Sequence, residues 1–138
     1  MSSNARQGSC LCGTVKLTTA TPDNSHVSAC HCTTCRKWGG GPFLAVECGT
    51  GVEFDGCDSI GIYNSSDWAE RGFCRECGTH LFYRLKDADF YALPVGLFEK
   101  ANWVLTDEVF IDEKPEFYSF AQETEKLTGA ELFAKFSE

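Results

Sequence analysis

The sequence predicts a mostly β domain with one short helix near its C-terminal end. Short runs rich in β-branched and aromatic residues recur between Gly, Pro, Asn and Asp, which is typical of strands joined by turns. No amphipathic segments of 10–15 residues separate these runs, so a parallel sheet is not expected. The predicted strands cover residues 14–18, 43–47, 52–54, 60–63, 80–85, 90–95 and 109–111.

The first of these runs, residues 14–18, shows the alternation of a strand with one buried face. Val15 and Leu17 occupy every second position, and Thr or Lys occupies the positions between them. Successive side chains of a strand point to opposite sides, so the two apolar residues face the same side. This segment should therefore lie with its apolar face on the core.

The predicted helix begins near Thr128. Thr128 and Glu131 have the spacing of a capping box, in which each side chain bonds to the backbone N–H of the other residue. Apolar residues follow at helical spacing, as expected of a helix that covers one side of a β core. They are Leu132, Phe133 and Phe136.

The length of 138 residues predicts a single domain over residues 1–138, with a core of about residues 8–118. The hydrophobic share of 43% and the eleven Phe, four Tyr and three Trp indicate a globular chain rather than a disordered one. The N-terminal segment lacks the apolar run of a signal peptide, and no stretch has the length of a membrane span. We therefore expect a cytoplasmic protein that does not enter a membrane.

The net charge of −8 argues against a general nucleic-acid binder, because such proteins need a basic surface. Most of this charge lies in residues 99–138, which contain ten acids and four bases, a net −6. The remainder of the chain is close to neutral and contains the cysteine motifs, so an anionic small molecule is an acceptable ligand there. The basic residues near these motifs are Arg36, Lys37, Arg71, Arg75 and Arg84.

Nine cysteines require an explanation. An odd count without a secretion signal does not indicate a disulfide framework. In a reducing compartment, cysteines at short spacing are more typical of metal ligands. Seven of the nine fall in three motifs, G-S-C-L-C-G at residues 8–13, C-H-C-T-T-C-R at residues 30–36 and F-C-R-E-C-G-T-H at residues 73–80.

The first and third motifs together predict one closed structural zinc site. Cys74 and Cys77 form a C-x-x-C turn, and Gly78 can adopt the left-handed conformation that closes it. This turn supplies two ligands, whereas structural zinc takes four. Cys10 and Cys12 are the natural second pair, because residues i and i+2 of an extended segment point to the same side.

The second motif predicts a more open zinc site. Cys30, Cys32 and Cys35 supply three thiolates, which leaves one tetrahedral position for water or a substrate thiol, as in catalytic zinc sites. His31 alternates with two of these ligands, so a hydrogen bond on the other side is its expected role. The alternative is a second closed site, with the fourth ligand supplied by His31, His26, Cys48 or Cys57.

Several other residues receive structural expectations. Cys48 and Cys57 fit no metal spacing, so we expect both to be buried free cysteines. His80 directly follows the third motif and is expected to pack. Residues 38–43, W-G-G-G-P-F, are expected to form a flexible loop beside the open site.

The three motifs in this order resemble the glutathione-dependent formaldehyde-activating enzyme (Gfa) family, which shares its domain with centromere protein V. The resemblance covers about residues 8–118 and includes K-P-E-F-Y at residues 114–118, similar to the Lys-Pro-x-aromatic-aromatic stretch of the family. It implies a small zinc-bound β-sandwich-like fold of the β-tent type. It also implies a structural zinc on Cys10, Cys12, Cys74 and Cys77, and a second zinc on Cys30, Cys32 and Cys35.

The resemblance further implies a carbon–sulfur lyase-type enzyme that condenses glutathione with formaldehyde to S-hydroxymethylglutathione. Two alternatives stay open: a non-catalytic zinc protein that binds or carries glutathione, and a similar enzyme for another thiol and aldehyde. A second zinc that is lost more readily than the first is compatible with the sequence. A chromatin-type role is not expected, because the chain is acidic and has no basic extension.

Overall fold

The computed structural model describes residues 6–19, 25–88, 90–99 and 102–136. Their elements, in chain order, are eleven strands and two α-helices: β1 (Arg6–Ser9), β2 (Lys16–Thr19), β3 (His26–Cys30), α1 (Thr33–Gly39), β4 (Phe43–Gly49), β5 (Val52–Asp55), β6 (Ile60–Tyr63), β7 (Ala69–Cys74), β8 (His80–Leu85), β9 (Phe90–Pro94), β10 (Val104–Val109), β11 (Glu125–Leu127) and α2 (Gly129–Phe136). The predicted mostly β fold with a short C-terminal helix is confirmed. Neither helix combines the length and apolarity needed to cross a membrane.

The chain forms two compact units, each built from two separate stretches of sequence. The first contains residues 1–25 and 46–102, and the second contains residues 26–45 and 103–138. Strand β4 begins in the second unit and continues into the first. All residues of the first and third cysteine motifs therefore belong to the first unit, and the second motif belongs to the second unit.

The first unit contains two antiparallel sheets. One has the order β1-β2-β5, and in the other β9, β8, β7 and β6 pair in succession. An aromatic cluster joins the two, with the Phe54 ring of β5 centred 5.3 Å from Phe82 of β8 and 5.7 Å from Tyr91 of β9. Offset and edge contacts of this kind add to the stability gained from burying the rings. Val15 and Leu17 are buried here as predicted, with exposures of 0% and 2%.

The Phe82 ring of β8 covers Gly72 of β7 because Gly72 has no side chain. A Cβ at this position would lie 2.3 Å from the Phe82 ring, closer than any real contact. Arg71, the preceding residue, is buried and places its guanidinium 5.0 Å from the centre of the Tyr83 ring. The buried positions of β7 thus include an arginine and a glycine, so apolar and polar residues do not alternate along the strand that ends at Cys74.

In the second unit the strands pair in the order β11-β10-β3-β4, and β10 pairs in parallel with both β3 and β11. No parallel sheet was expected, and the pairing here is mixed, because β3 pairs antiparallel with β4; the two parallel pairs themselves were not predicted. A parallel pair needs a long connection, which is commonly but not always a single helix. Here β3 ends at Cys30 and β10 begins at Val104, and many other elements lie between them in the chain. A dedicated crossover helix is therefore not needed.

Most predicted boundaries are close to the observed ones. Strands β6 and β8 begin and end where predicted. The prediction of a strand at residues 109–111 is wrong, because β10 ends at Val109 and Phe110 turns the chain with a left-handed φ of 55°. The predicted helix is confirmed as α2, and the capping box forms through reciprocal bonds of 3.1 and 2.8 Å between Thr128 and Glu131. Strands β1, β3, β7 and β11 and helix α1 were not predicted.

Candidate zinc sites and active site

The first and third motifs bring four thiols together in the first unit. The Sγ atoms of Cys10, Cys12, Cys74 and Cys77 all lie within 4.8 Å of one another, and none is in a disulfide. The Sγ of Cys12 is 3.6 Å from that of Cys10 and 3.8 Å from that of Cys74. Four thiolates around zinc, each with a bond of about 2.3 Å, stand about 3.8 Å apart. The cluster therefore has the dimensions of a closed tetrahedral site.

A tight turn presents the first two thiols. The Gly13 N–H donates to the Cys10 carbonyl over 3.1 Å, and Gly13 has a φ of 82°. The Val15 N–H donates to the Cys10 Sγ over 3.3 Å. Such a bond to sulfur favours the thiolate, which is the form that binds metal.

A second turn, after β7, presents the other two thiols. The Gly78 N–H donates to the Cys74 carbonyl over 2.8 Å, and Gly78 has a φ of 81°, as predicted. The Thr79 hydroxyl accepts a 3.0 Å bond from the Leu11 N–H and lies 3.1 Å from the Cys77 Sγ. Thr79 thus ties the two turns together and also contacts a proposed ligand, a role that the sequence did not indicate.

The two thiols of this second turn differ in acidity. Hydrogen bonds from Thr79 lower the pKa of Cys77 to about 5, whereas burial raises the pKa of Cys74 to about 11. Cys74 is fully buried, and Cys77 is half-buried. A cation inside the cluster would favour the thiolate at both positions.

The second motif brings three thiols together in the second unit. The Sγ atoms of Cys30, Cys32 and Cys35 all lie within 4.8 Å of one another. Cys30 ends β3, Cys32 is the N-cap of α1 and Cys35 lies in the first turn of that helix. The Cys32 Sγ accepts a 3.3 Å bond from the Cys35 N–H, so the cysteine replaces the usual Ser or Asp cap. Helix α1 was not predicted, and it is what turns Cys35 back towards the other two thiols.

The fourth position of this cluster is not filled by another protein ligand among the described residues, because no further His, Cys, Asp or Glu joins the three thiols. Hydrogen bonds with Cys32 and Cys35, together with burial, strongly raise the pKa of Cys30. Three thiolates at this spacing repel one another unless a cation lies between them. The donor set thus fits zinc with one position left for another ligand.

His31 points away from the cluster into a buried network, as its alternation with the ligands predicted. Its Nδ1 lies 2.7 Å from the Tyr118 hydroxyl, and its Nε2 lies 2.8 Å from the Glu108 carboxylate. His31 is 0% exposed and Glu108 is 2% exposed. The other Glu108 oxygen accepts a 2.5 Å bond from the Thr124 hydroxyl. Both ring nitrogens of His31 are therefore occupied within the protein.

The charges in this network determine its hydrogen-bond directions. Burial alone would raise the pKa of Glu108, but bonds from Thr124 and His31 and the nearby Lys126 lower it overall. An ionised carboxylate only accepts, so the His31 Nε2–H donates to it. Burial raises the pKa of Tyr118, which keeps the phenol protonated where its hydroxyl meets Nδ1. The network thereby fixes the backbone between Cys30 and Cys32.

A Glu108→Ala variant should lose about 3 kcal/mol of unfolding free energy, because the buried imidazole loses its acceptor. Glu108→Gln keeps an acceptor and should lose less. The folded-state pKa of Glu108 is below its ordinary value of 4.5, so its ionised form stabilises the fold above about pH 4.5, and this stability is lost as the pH falls through the folded pKa. Urea unfolding at pH 7 measures the first effect, and the difference between wild type and Glu108→Gln at pH 7 and at pH 4 measures the second, because both proteins lose zinc alike at low pH. A pH dependence in Glu108→Gln equal to that of the wild type would contradict this role.

A surface cavity of about 230 Å³ lies along α1 in the second unit. Tyr118 lines it, so the phenol that bonds to His31 also faces the cavity. The residues that line this cavity are Thr33, Arg36, Lys37, Gly40, Gly41, Phe117 and Tyr118.

The expectation of a flexible loop at residues 38–43 is partly wrong, because α1 continues to Gly39 and Trp38 packs edge-on against Phe43 at 5.9 Å.

The remaining predicted residues have mixed outcomes. Cys48 is buried and in no disulfide, as expected, and its Sγ lies 3.6 Å from the Val46 carbonyl. Cys57 is free but exposed, so the expectation of burial is wrong; it lies in the 3-10 turn Cys57–Ser59 and contacts the Phe54 carbonyl. His80 is half-buried on β8, where burial and then the charge of Arg71 lower its pKa.

Comparison with known proteins agrees with the motifs. The family profile of the glutathione-dependent formaldehyde-activating enzymes matches residues 5–113. An uncharacterized lyase of Schizosaccharomyces pombe is 36% identical over 128 residues, which cover 91% of this chain and 93% of that protein. A Podospora anserina protein, provisionally named a glutathione-dependent formaldehyde-activating enzyme, is 31% identical over 119 residues. That match covers 80% of this chain and 52% of the longer fungal protein.

One solved structure supports the fold alone. The crystal structure of a Rhodobacter sphaeroides protein superposes with a TM-score of 0.59 at 23% identity. The superposition covers 70% of this chain and 90% of the bacterial protein. The extent of the profile match and the full-length similarity to the fission yeast lyase show that this chain belongs to the glutathione-dependent formaldehyde-activating enzyme family.

Proposed function

We propose that this protein is a zinc-dependent lyase-type enzyme that condenses glutathione with formaldehyde to S-hydroxymethylglutathione. In this reaction the thiol sulfur forms a bond to the formaldehyde carbon, and the thiol proton ends on the former carbonyl oxygen. The observation that carries the proposal is the three-cysteine cluster, which has no fourth protein ligand among the described residues. Membership of the family and the similarity to a lyase support the same reading.

We assign one zinc to Cys30, Cys32 and Cys35 as the active-site metal. When bound there, zinc supplies a Lewis acid that lowers the pKa of a thiol and polarises a carbonyl oxygen. The protein contributes position: β3 and the capped first turn of α1 keep the three sulfurs within 4.8 Å of one another. The His31–Glu108 pair holds the segment between the first two ligands. Bringing a thiol and an aldehyde together in such a site lowers the barrier by about 5 kcal/mol through proximity alone.

We assign a second, structural zinc to Cys10, Cys12, Cys74 and Cys77. Four thiolates close the tetrahedron, so this metal has no position for substrate. Its role is to join the turn before β2 to the turn after β7, in the part of the chain that forms the first unit. The thiols of both clusters must stay reduced to bind metal, which is why we infer a cytoplasmic protein.

The test is the exchange between free glutathione and its formaldehyde adduct, followed by NMR. Zinc-loaded protein is expected to accelerate exchange over the rate without protein. Metal-stripped protein should not, although stripping empties both sites and therefore also removes the structural metal. The sharper control is a variant that loses only the active-site metal, Cys32→Ser.

A zinc-loaded protein that binds glutathione without accelerating exchange would overturn the enzymatic proposal. It would favour the alternative of a protein that binds or carries glutathione, since a tightly bound thiolate is less nucleophilic than a free one. Acceleration with another thiol or aldehyde, and none with glutathione and formaldehyde, would keep the reaction type and change the substrate.

A further inference from the structure

His31, the residue between the first two thiols of the three-cysteine cluster, has every polar group bound within the protein. Its N–H donates to the Val109 carbonyl over 3.1 Å, and its carbonyl accepts a 2.9 Å bond from the Nε–H of Arg36. Its two ring nitrogens contact Tyr118 and Glu108. The segment that carries these two thiols is therefore held at its backbone as well as at its side chain.

The two backbone bonds fix the peptide groups on either side of His31. A peptide group is planar, so a bond to its N–H or its carbonyl sets the orientation of the whole group and of the Cα atoms at its ends. The His31 N–H belongs to the peptide that follows Cys30, and the His31 carbonyl belongs to the peptide that precedes Cys32. Strand β10 holds the first group and Arg36 holds the second, so Arg36 acts on the direction of the Cys32 side chain.

The helix backbone does not supply the bond to the His31 carbonyl. A helical N–H bonds to the carbonyl four residues before it, which for Cys35 would be that of His31. Here the Cys35 N–H donates to the Cys32 Sγ instead, and the Arg36 N–H donates to the Cys32 carbonyl. The half-buried Arg36 side chain reaches back five residues to the free carbonyl, and one Nη lies 3.4 Å from the Thr33 hydroxyl.

We propose that Arg36 is a positioning residue for the active-site zinc: by fixing the His31 carbonyl it sets where the Cys32 thiol lies. The inference rests on the proposed function, since it concerns the metal assigned to this cluster. Arg36 lies on the helix that carries Cys35, and its bond returns to the segment that carries the other two thiols, so this side chain joins both parts of the donor set. Thiolates held in place before the metal arrives bind it more tightly than thiolates that must first be brought together.

The experiment measures the zinc affinity of each cluster by competition with a chromophoric chelator, in the wild type and in Arg36→Met. Methionine is a good helix former with a long side chain, but it cannot donate a hydrogen bond. The three-cysteine cluster should bind zinc about tenfold more weakly in Arg36→Met, the lower end of the effect of removing a group that orients a metal ligand. The four-cysteine cluster should keep its wild-type affinity.

The same substitution in a Cys32→Ser background assigns the effect to one cluster. This background is expected to hold only the structural zinc, so adding Arg36→Met should not change its zinc affinity. An equal loss of affinity with and without Cys32→Ser would overturn the proposal, because Arg36 would then act on the fold as a whole.

Lys37→Met is the matched control, because it removes the same charge from the next position of the same helix. It should leave the zinc affinity of both clusters unchanged. An equal weakening of zinc binding in Lys37→Met and Arg36→Met would overturn the proposal, since positive charge near the thiolates would then account for the effect without the bond to His31.

The outcomes separate this inference from the proposed function. Weaker zinc binding in Arg36→Met, with no accelerated exchange by the wild type, would keep the positioning role and reject the enzyme. Unchanged zinc affinity in Arg36→Met, with accelerated exchange by the wild type, would reject the positioning role and keep the enzyme. A wild type that binds zinc only in the four-cysteine cluster would overturn both.

Discussion

A Cys74→Ser variant is expected to lose its stable fold. Cys74 is fully buried at the end of β7, and its sulfur lies 3.8 Å from that of Cys12 in the four-thiol cluster. A structural zinc contributes about 10 kcal/mol or more to folding, whereas a whole domain is stable by only about 5–15 kcal/mol. Weakening that site should therefore cost at least about 4 kcal/mol, or ~10 °C or more in melting temperature.

Circular dichroism melting and zinc content are the measurements for this variant. Cys57→Ser is the matched control, because Cys57 is an exposed free thiol outside both clusters. The control should melt within a few degrees of the wild type and bind two zinc ions. A Cys74→Ser protein that melts like this control would show that the four thiols do not form a structural metal site.

A Cys32→Ser variant should lose catalysis while keeping its fold. It removes one of three proposed ligands of the active-site zinc, so zinc content should fall from two to one per chain and exchange should return to the rate without protein. The serine hydroxyl can still accept the bond from the Cys35 N–H that caps α1, because Ser is a preferred N-cap. The stability cost should therefore stay within about 2 kcal/mol.

NMR exchange, zinc content and thermal melting of Cys32→Ser are measured on the same sample. Cys57→Ser is again the control and should keep full activity. Full activity in Cys32→Ser would contradict the assignment of this cluster to the reaction. Global unfolding of Cys32→Ser would show instead that the second cluster is a structural site.

The strands that could be predicted are those whose local pattern matches their surroundings. His80–Leu85 and Ile60–Tyr63 are rich in aromatic or β-branched residues and end at turn residues, so their bounds were found. Ala69–Cys74 was missed because its buried positions include Arg71 and Gly72, whose fit depends on the rings of Tyr83 and Phe82. Those rings come from the neighbouring strand, and a local pattern does not contain that information.

Helix α1 was missed for a related reason. It is seven residues long, has no acid in its first turn and is capped by a cysteine rather than by Ser, Thr, Asp or Asn. The parallel pairing of β10 with β3 was not predicted, because the sequence was searched for crossover helices, which are not needed when the two strands are far apart in sequence. Long-range pairing of this kind is set by tertiary packing.

The thiol clusters were predicted better than the fold, because short cysteine spacing restricts which sulfurs can meet. Both sets of cysteines assigned from the sequence are brought together by the structure, and their metal ligation stays a prediction. Glu108 was not found, since it is one acid among ten in the last forty residues and its contact with His31 joins positions 77 residues apart in the chain. The tail motif contained Tyr118, but its partner could not be read from the sequence.

The separation between the two halves of the four-thiol cluster has a consequence for synthesis on the ribosome. Cys12 and Cys74 are 62 residues apart, so the first pair of thiols emerges well before the second exists. Cys30, Cys32 and Cys35 lie within six residues and can gather around an ion as soon as they emerge. During translation the three-cysteine cluster is thus complete first and is the first to compete for zinc. The four-cysteine cluster, whose two halves are far apart in the chain, is completed last. In a cell short of zinc, we therefore expect chains in which the two pairs of thiols of the first unit are not yet joined by a metal ion.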